Sequence, residues 1–72
     1  VSKFVAELKG YHVGSHRYFG WRLVQARKGG KVIAEGSQIF PRPGVCRTFV
    51  EGLFGCNDDI EIVERPGFRR KP

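Results

Sequence analysis

Residues 18–27 alternate with a period of two. Phe19, Trp21 and Leu23 fall on one side, and Arg22 and Val24 on the other, which is the pattern of a half-buried strand. Lys28-Gly29-Gly30-Lys31 breaks the run, and Val32 and Ala34 then alternate with Ile33 and Glu35 across 31–36. Glycine accepts positive φ without a Cβ clash, so the Gly29-Gly30 pair predicts a tight hairpin over 18–36. A sheet edge and a core face are thereby committed within the first half of the chain, and the rest must cover that face.

The segments on either side supply the remaining elements. Phe4, Ala6 and Leu8 alternate with Lys3, Val5, Glu7 and Lys9, which predicts another strand over 3–9. Gly10 to His16 contains two glycines and a serine with no clean period, and reads as a loop. Pro41 and Pro43 end the sheet region. Pro43 suits the first helical turn, where its missing N–H has no intrahelical partner to lose. From there Val45, Cys46, Phe49, Val50 and Leu53 follow i, i+3/i+4 spacing, which predicts a helix over 43–54 with one apolar stripe. Arg47 and Glu51 lie opposite it. Gly52 interrupts the helix at a cost of about 1 kcal/mol relative to Ala, which close approach to a neighbouring backbone would explain. Gly55 is placed to cap the end. Ile60 and Ile62 alternate with Glu61 and Val63, which predicts a short fourth strand over 59–64.

These elements define the expected fold class: a small α+β domain, an antiparallel three-stranded meander with one helix packed on one face and a short fourth strand. The domain runs over 1–64 and a basic C-terminal tail over 65–72. The expected core contains Phe4, Leu8, Phe19, Trp21, Leu23, Val32, Ala34, Val45, Phe49 and Leu53. Seventy-two residues make one domain, and a domain this short buries only about 60% of its unfolded surface. Such domains commonly lean on a disulfide, a metal or a second subunit.

Trp21-Arg22-Leu23, then Gly29-Gly30-Lys31-Val32-Ile33-Ala34, then Gly36 and a helix opening near Pro43 give the chain a resemblance. It is similar over roughly residues 4–56 to the YegP-like domains of unknown function, a family of short bacterial and phage domains. Ser37-Gln38-Ile39-Phe40 stands at the family's Ser-x-Tyr step. The sequence departs from the family where Pro41-Arg42-Pro43-Gly44 replaces a Ser or Lys cap, and where Phe49 and Phe54 stand in a helix that is Ala-rich in the family. The resemblance implies a three-stranded sheet with a helix across it, doubled by repetition or self-association. It carries no activity with it. A single copy implies a homodimer.

Charge separates the functional classes. The net charge is +6, and it is unevenly spread. Residues 1–50 hold nine Lys or Arg against Glu7 and Glu35, residues 51–64 hold five acids and no base, and residues 65–72 hold four bases and no acid. A basic body favours an acidic protein or nucleic acid as partner; it equally suits a solvated surface. Arg17, Arg22, Arg27, Lys28 and Lys31 on the hairpin, with Arg69, Arg70 and Lys71 in the tail, are the candidate nucleic-acid contacts. Phe68 would be available there to stack on a base. Phe40 and Phe54, at the margins of the predicted sheet and stripe, are the candidate interface residues; they could equally close the ends of the core.

Other chemistries find less footing. Cys46 and Cys56 lie ten residues apart across a predicted helix, about 15 Å at 1.5 Å per residue, beyond the reach of a disulfide. His12, His16, Cys46 and Cys56 match no zinc-ligand spacing, so no metal or cofactor is expected. Ser15 and His16 are adjacent in sequence, and neighbours seldom meet in triad geometry. Asn57-Asp58-Asp59 lacks calcium-loop spacing. The expectation is a non-enzymatic protein. No apolar run approaches the roughly 18 residues that span a bilayer, and the N-terminal residues alternate in place of a signal-like apolar stretch, so the expected location is cytoplasmic, away from membranes. Two functional readings remain: a self-associating protein-interaction module, and a nucleic-acid-binding protein using the sheet face and tail.

Overall fold

A computed structural model describes residues 3–68. Four strands and one helix follow in the order β1 (Phe4–Val13), β2 (His16–Gln25), β3 (Val32–Glu35), α1 (Pro43–Phe54) and β4 (Ile60–Glu64). The sheet order is β3-β2-β1-β4. The first three strands form the expected antiparallel meander. The fourth joins the other edge and runs parallel to β1, pairing Ala6 with Ile62. The sheet is therefore mixed and four-stranded. The helix supplies the crossover that a parallel neighbour requires.

The stretch expected as a loop over 10–16 is strand on either side of a two-residue turn at Gly14 and Ser15. β1 and β2 continue as a long ribbon until Val13 pairs with His16. Gly14 turns the chain at φ 61°, the first-position glycine that a two-residue hairpin favours. Gly10 remains in β1 for a separate reason. A Cβ there would sit 2.6 Å from the Gly67 carbonyl oxygen, so the C-terminal backbone needs that position bare. The β2–β3 connection is longer than the tight turn expected. Gln25 N–H donates to the Lys31 carbonyl at 3.0 Å, and a bulge between Leu23 and Val24 shifts the register.

One sheet face carries Ala6, Leu8, Phe19, Trp21, Leu23, Ile60 and Ile62, and these pack with Cys46, Val50, Phe54, Phe40 and Phe68. The helix opens at Pro43 without a side-chain cap on Arg42, and Gly55 closes it in right-handed conformation at φ −63°, not as the left-handed cap its position suggested. Arg47 fastens the helix to β4, donating from Nη1 to Glu64 Oε2 at 2.7 Å while its Nε bonds Glu51 at 3.0 Å.

Several expected core residues lie outside. The helix crosses β1, β2 and β4 and leaves β3 uncovered, so Ala34 is exposed, and the bulge turns Val32 to the other face, opposite Val24, where it is also exposed. The apolar helical positions form two rows. Cys46, Val50 and Phe54 face the sheet, and Val45, Phe49 and Leu53, which the stripe placed in the core, stand 49%, 39% and 51% exposed. The first residues of the expected tail pack on the domain. Arg65 N–H donates to the Leu8 carbonyl at 3.0 Å, the chain turns at Gly67 with φ 91°, and Phe68 is fully buried. Phe68 is therefore core and unavailable for stacking.

Candidate functional site

The sheet face away from the helix carries the one buried charged residue among the described residues. Glu7, on β1, is only 7% exposed. It pairs in register with Arg22 of β2 on one side and Val63 of β4 on the other. Arg22 Nε donates to Oε1 at 2.6 Å, and Arg65, just past β4, donates from Nε to Oε2 at 2.6 Å. Both carboxylate oxygens are thus taken by guanidinium groups. Burial alone would push the Glu7 carboxyl up, but the hydrogen bonds and charges of Arg22 and Arg65 outweigh it and hold the group below its ordinary value. Arg22 is correspondingly raised, first by its bond to Glu7.

This trio lies beside a depression of about 500 Å³ lined by Val5, Glu7, Arg22, Val24, Gln25, Ala26, Arg27, Gly30, Val32 and Arg65. Three arginines line it together with the Glu7 carboxylate and three valines. Arg27 bonds Gln25 Oε1 through Nε at 3.1 Å. Each arginine gives Nε to its acceptor, and Arg65 Nη2 also lies 2.6 Å from Glu7 Oε2. Glu35 is the register partner of Arg22 on β3 and lies outside the lining.

The other expected cations are spread out. Arg17 is strapped to the far end of the molecule, where its guanidinium stacks 5.2 Å from the Phe19 ring centroid and donates to the Gly67 carbonyl. Lys28 and Lys31 are exposed on the β2–β3 connection near Arg27. Arg69, Arg70 and Lys71 lie outside the described residues. So Arg22 and Arg27 are brought together, and Arg17 is not with them.

No family model, curated protein or solved structure matches the chain. The assignment of a site therefore rests on its own geometry.

The second surface is the outer row of the helix. Val45, Phe49 and Leu53 run along it at i, i+4, i+8, and Ile39 is exposed as well. A shallow apolar dimple of about 380 Å³ opens between Phe40, Gly44, Val45, Thr48 and Phe49. Phe40 itself is 5% exposed, held by paired backbone bonds to Phe19 at 2.8 Å. Phe54 is half-buried, its ring edge-on to Trp21 with centroids 5.3 Å apart. Phe40 is therefore core and Phe54 packs against it, and the exposed apolar row on the helix is the one a position earlier.

Sequence reasoning missed Glu7 and Arg65 as site residues. Glu7 is one of only two acids in the basic first fifty residues and stands on the outward side of a strand, which is a signal for a cross-strand cation. Arg65 gave none, because it looks like the start of a basic tail. Among the described residues, no three His, Cys, Asp or Glu side chains gather in metal-binding range, and no helix is long and apolar enough to cross a membrane.

Proposed function

We propose that the chain is a small non-enzymatic protein-interaction module whose first partner is a second copy of itself, joined through the outer row of α1. The observation that carries this is the exposure of Val45, Phe49 and Leu53 in line. Three large apolar groups in one row present the ridge that a second helix packs against. The flanks suit close approach. Gly44 and Gly52 have nothing within 4 Å of where a Cβ would be, so no contact within the protomer explains Gly52. The helix charges, Arg47 and Glu51, are engaged with each other and with Glu64, which lowers the cost of bringing two such faces together. A two-fold arrangement would place Phe49 of one protomer near that of its partner.

Kinship with the YegP-like domains is part of this proposal. It is supported by the placement of Trp21-Arg22-Leu23 on β2, of Val32-Ile33-Ala34 on β3 and of Pro43 at the start of the helix. The two free thiols, Cys46 and Cys56, support a reducing compartment such as the cytoplasm.

Sedimentation equilibrium over a range of concentrations tests the reading. The wild-type chain should show a dimer that Phe49→Ser and Leu53→Ser convert to monomer with unchanged far-ultraviolet circular dichroism. A wild-type chain that sediments as a monomer throughout, or a dimer untouched by both substitutions, overturns it.

Nucleic-acid binding is the second reading. It is favoured by one observation, the convergence of Arg22, Arg27 and Arg65 on the depression of the open sheet face.

A further inference from the structure

We infer that the depression beside Glu7 is a binding site for a phosphate monoester carried on a flat apolar body, of which a nucleotide is the simplest case. The inference rests on the second reading and narrows it from a basic surface to one pocket and one ligand class.

Charge selects the anion. The lining holds Arg22, Arg27 and Arg65 against the single carboxylate of Glu7, a surplus that a dianion neutralises. A phosphate monoester approaches two negative charges at pH 7, with a second pKa near 6. A carboxylate or a backbone phosphodiester brings one. Guanidinium groups are the side chains best matched to phosphate, since their planar fork gives two parallel N–H donors.

Glu7 makes the site more than a patch of surface arginines. Its two oxygens hold Arg22 and Arg65 at 2.6 Å each, fixing two long side chains before any ligand arrives. The ordering entropy of those groups is then spent in folding, not in binding. Arg22 is held through Nε, and its guanidinium lines the depression. Glu7 remains a like charge to the phosphate, but its oxygens are already covered.

The apolar lining selects the body. Val5, Val24, Val32 and Ala26 contribute to the wall. A volume of about 500 Å³ lies within the range of small-molecule sites, roughly 300–1,000 Å³. Such a surface offers contact to the face of a base and no dense array of groups to read its edge.

The free nucleotide and the phosphorylated end of an oligonucleotide present the same chemistry, and titration followed by amide chemical shifts separates them. The probes are adenosine monophosphate, a short single-stranded DNA with a 5′-phosphate, the same DNA without it, inorganic phosphate and a phosphotyrosine peptide. The proposal requires the mononucleotide to shift the amides of Val5, Val24 and Val32. The 5′-phosphorylated DNA should bind there more tightly than the unphosphorylated strand, and the mononucleotide more tightly than inorganic phosphate. Affinity should rise from pH 5 to pH 7.5 as the phosphate loses its second proton. Arg27→Gln leaves the Glu7 pairs intact and should weaken mononucleotide binding about tenfold, the loss of one charge-assisted contact. Arg65→Gln should abolish it.

Equal binding of both DNA strands with no mononucleotide response would overturn the site while leaving the nucleic-acid reading standing. Absence of binding by every probe would remove both. Tighter binding of the phosphopeptide than of any nucleotide, or parity between the mononucleotide and inorganic phosphate, would also overturn the assignment.

Discussion

The Phe68 ring stands edge-on to Phe19, with centroids 5.4 Å apart and planes at 80°. This contact joins β2 to the segment after β4, and Arg17 closes over it by stacking on Phe19 and binding the Gly67 carbonyl. Phe68 is fully buried, so its removal leaves a cavity. Truncation of a buried Phe to Ala costs about 3–5 kcal/mol. At roughly 0.1 kcal/mol per residue a domain of this length holds about 7 kcal/mol. Phe68→Ala should therefore lose about half the stability in urea unfolding, and a chain ending at residue 67 should lose at least as much. Midpoints indistinguishable from the wild type would show that Phe68 contributes nothing to the core.

That burial was hard to see in advance because of its surroundings. Phe68 sits among Arg65, Pro66, Gly67 and Arg69, a composition that suits a solvated tail. Its partner is set by the path of the chain after β4, which runs parallel to β1, and no local pattern encodes that direction. The local elements were legible. Alternation marked β2, and Pro43 with the spacing after it marked the helix at its observed bounds. The face of that helix was not legible, because 45-49-53 and 46-50-54 are both apolar rows and the sequence does not say which meets the sheet. At the site, Arg22 was visible as a cation on the outward side of β2. Its bond to Glu7 depends on the β1–β2 register, which the hidden Gly14 turn sets. Gly10 and Gly14 suggested a loop, whereas Gly10 is bare to admit Gly67.

Glu7 gives the protein a specific acid sensitivity. Its folded pKa lies below the ordinary value, since the bonds from Arg22 and Arg65 overcome the effect of burial. A carboxyl so depressed contributes stability above its unfolded pKa of about 4.3, and that contribution fades as pH falls through the folded value. Glu7→Gln should cost about 2 kcal/mol at pH 7, less than the 3–5 kcal/mol of a fully buried pair, because Arg65 is 43% exposed and its charge is screened. The gap between variant and wild type should narrow as the pH is lowered from 5 to 2. Urea unfolding at several pH values measures it, and a gap independent of pH would exclude Glu7 as the titrating group.

The two thiols should separate cleanly. Cys46 is fully buried against the sheet, and desolvation pushes its pKa up to about 11. The thiolate is the reactive form, so Cys46 is protected by both access and protonation. Cys56 is exposed just beyond the helix. Iodoacetamide at pH 8 should modify Cys56 promptly and Cys46 only on the timescale of unfolding. Peptide mass mapping distinguishes the two sites, and comparable rates at both would place Cys46 outside the core.

Gly36 and Gly52 should respond to alanine in opposite directions. A Cβ at Gly36 would lie 2.3 Å from Trp21 Nε1, and that indole is wedged against Phe54, so it has little room to yield. Gly36→Ala should cost about 1–3 kcal/mol, the usual penalty of overpacking, and should shift the Trp21 fluorescence as the ring is displaced. At Gly52 nothing stands within 4 Å, and helix propensity alone acts. Gly52→Ala should stabilise the chain by about 1 kcal/mol at concentrations low enough to keep it monomeric. The same methyl group lies beside Leu53 and would hold a second helix further away, so it should weaken the dimer while strengthening the protomer. Urea midpoints at low concentration and sedimentation at high concentration read the two effects separately. A dimer strengthened by Gly52→Ala would place the contact on another face.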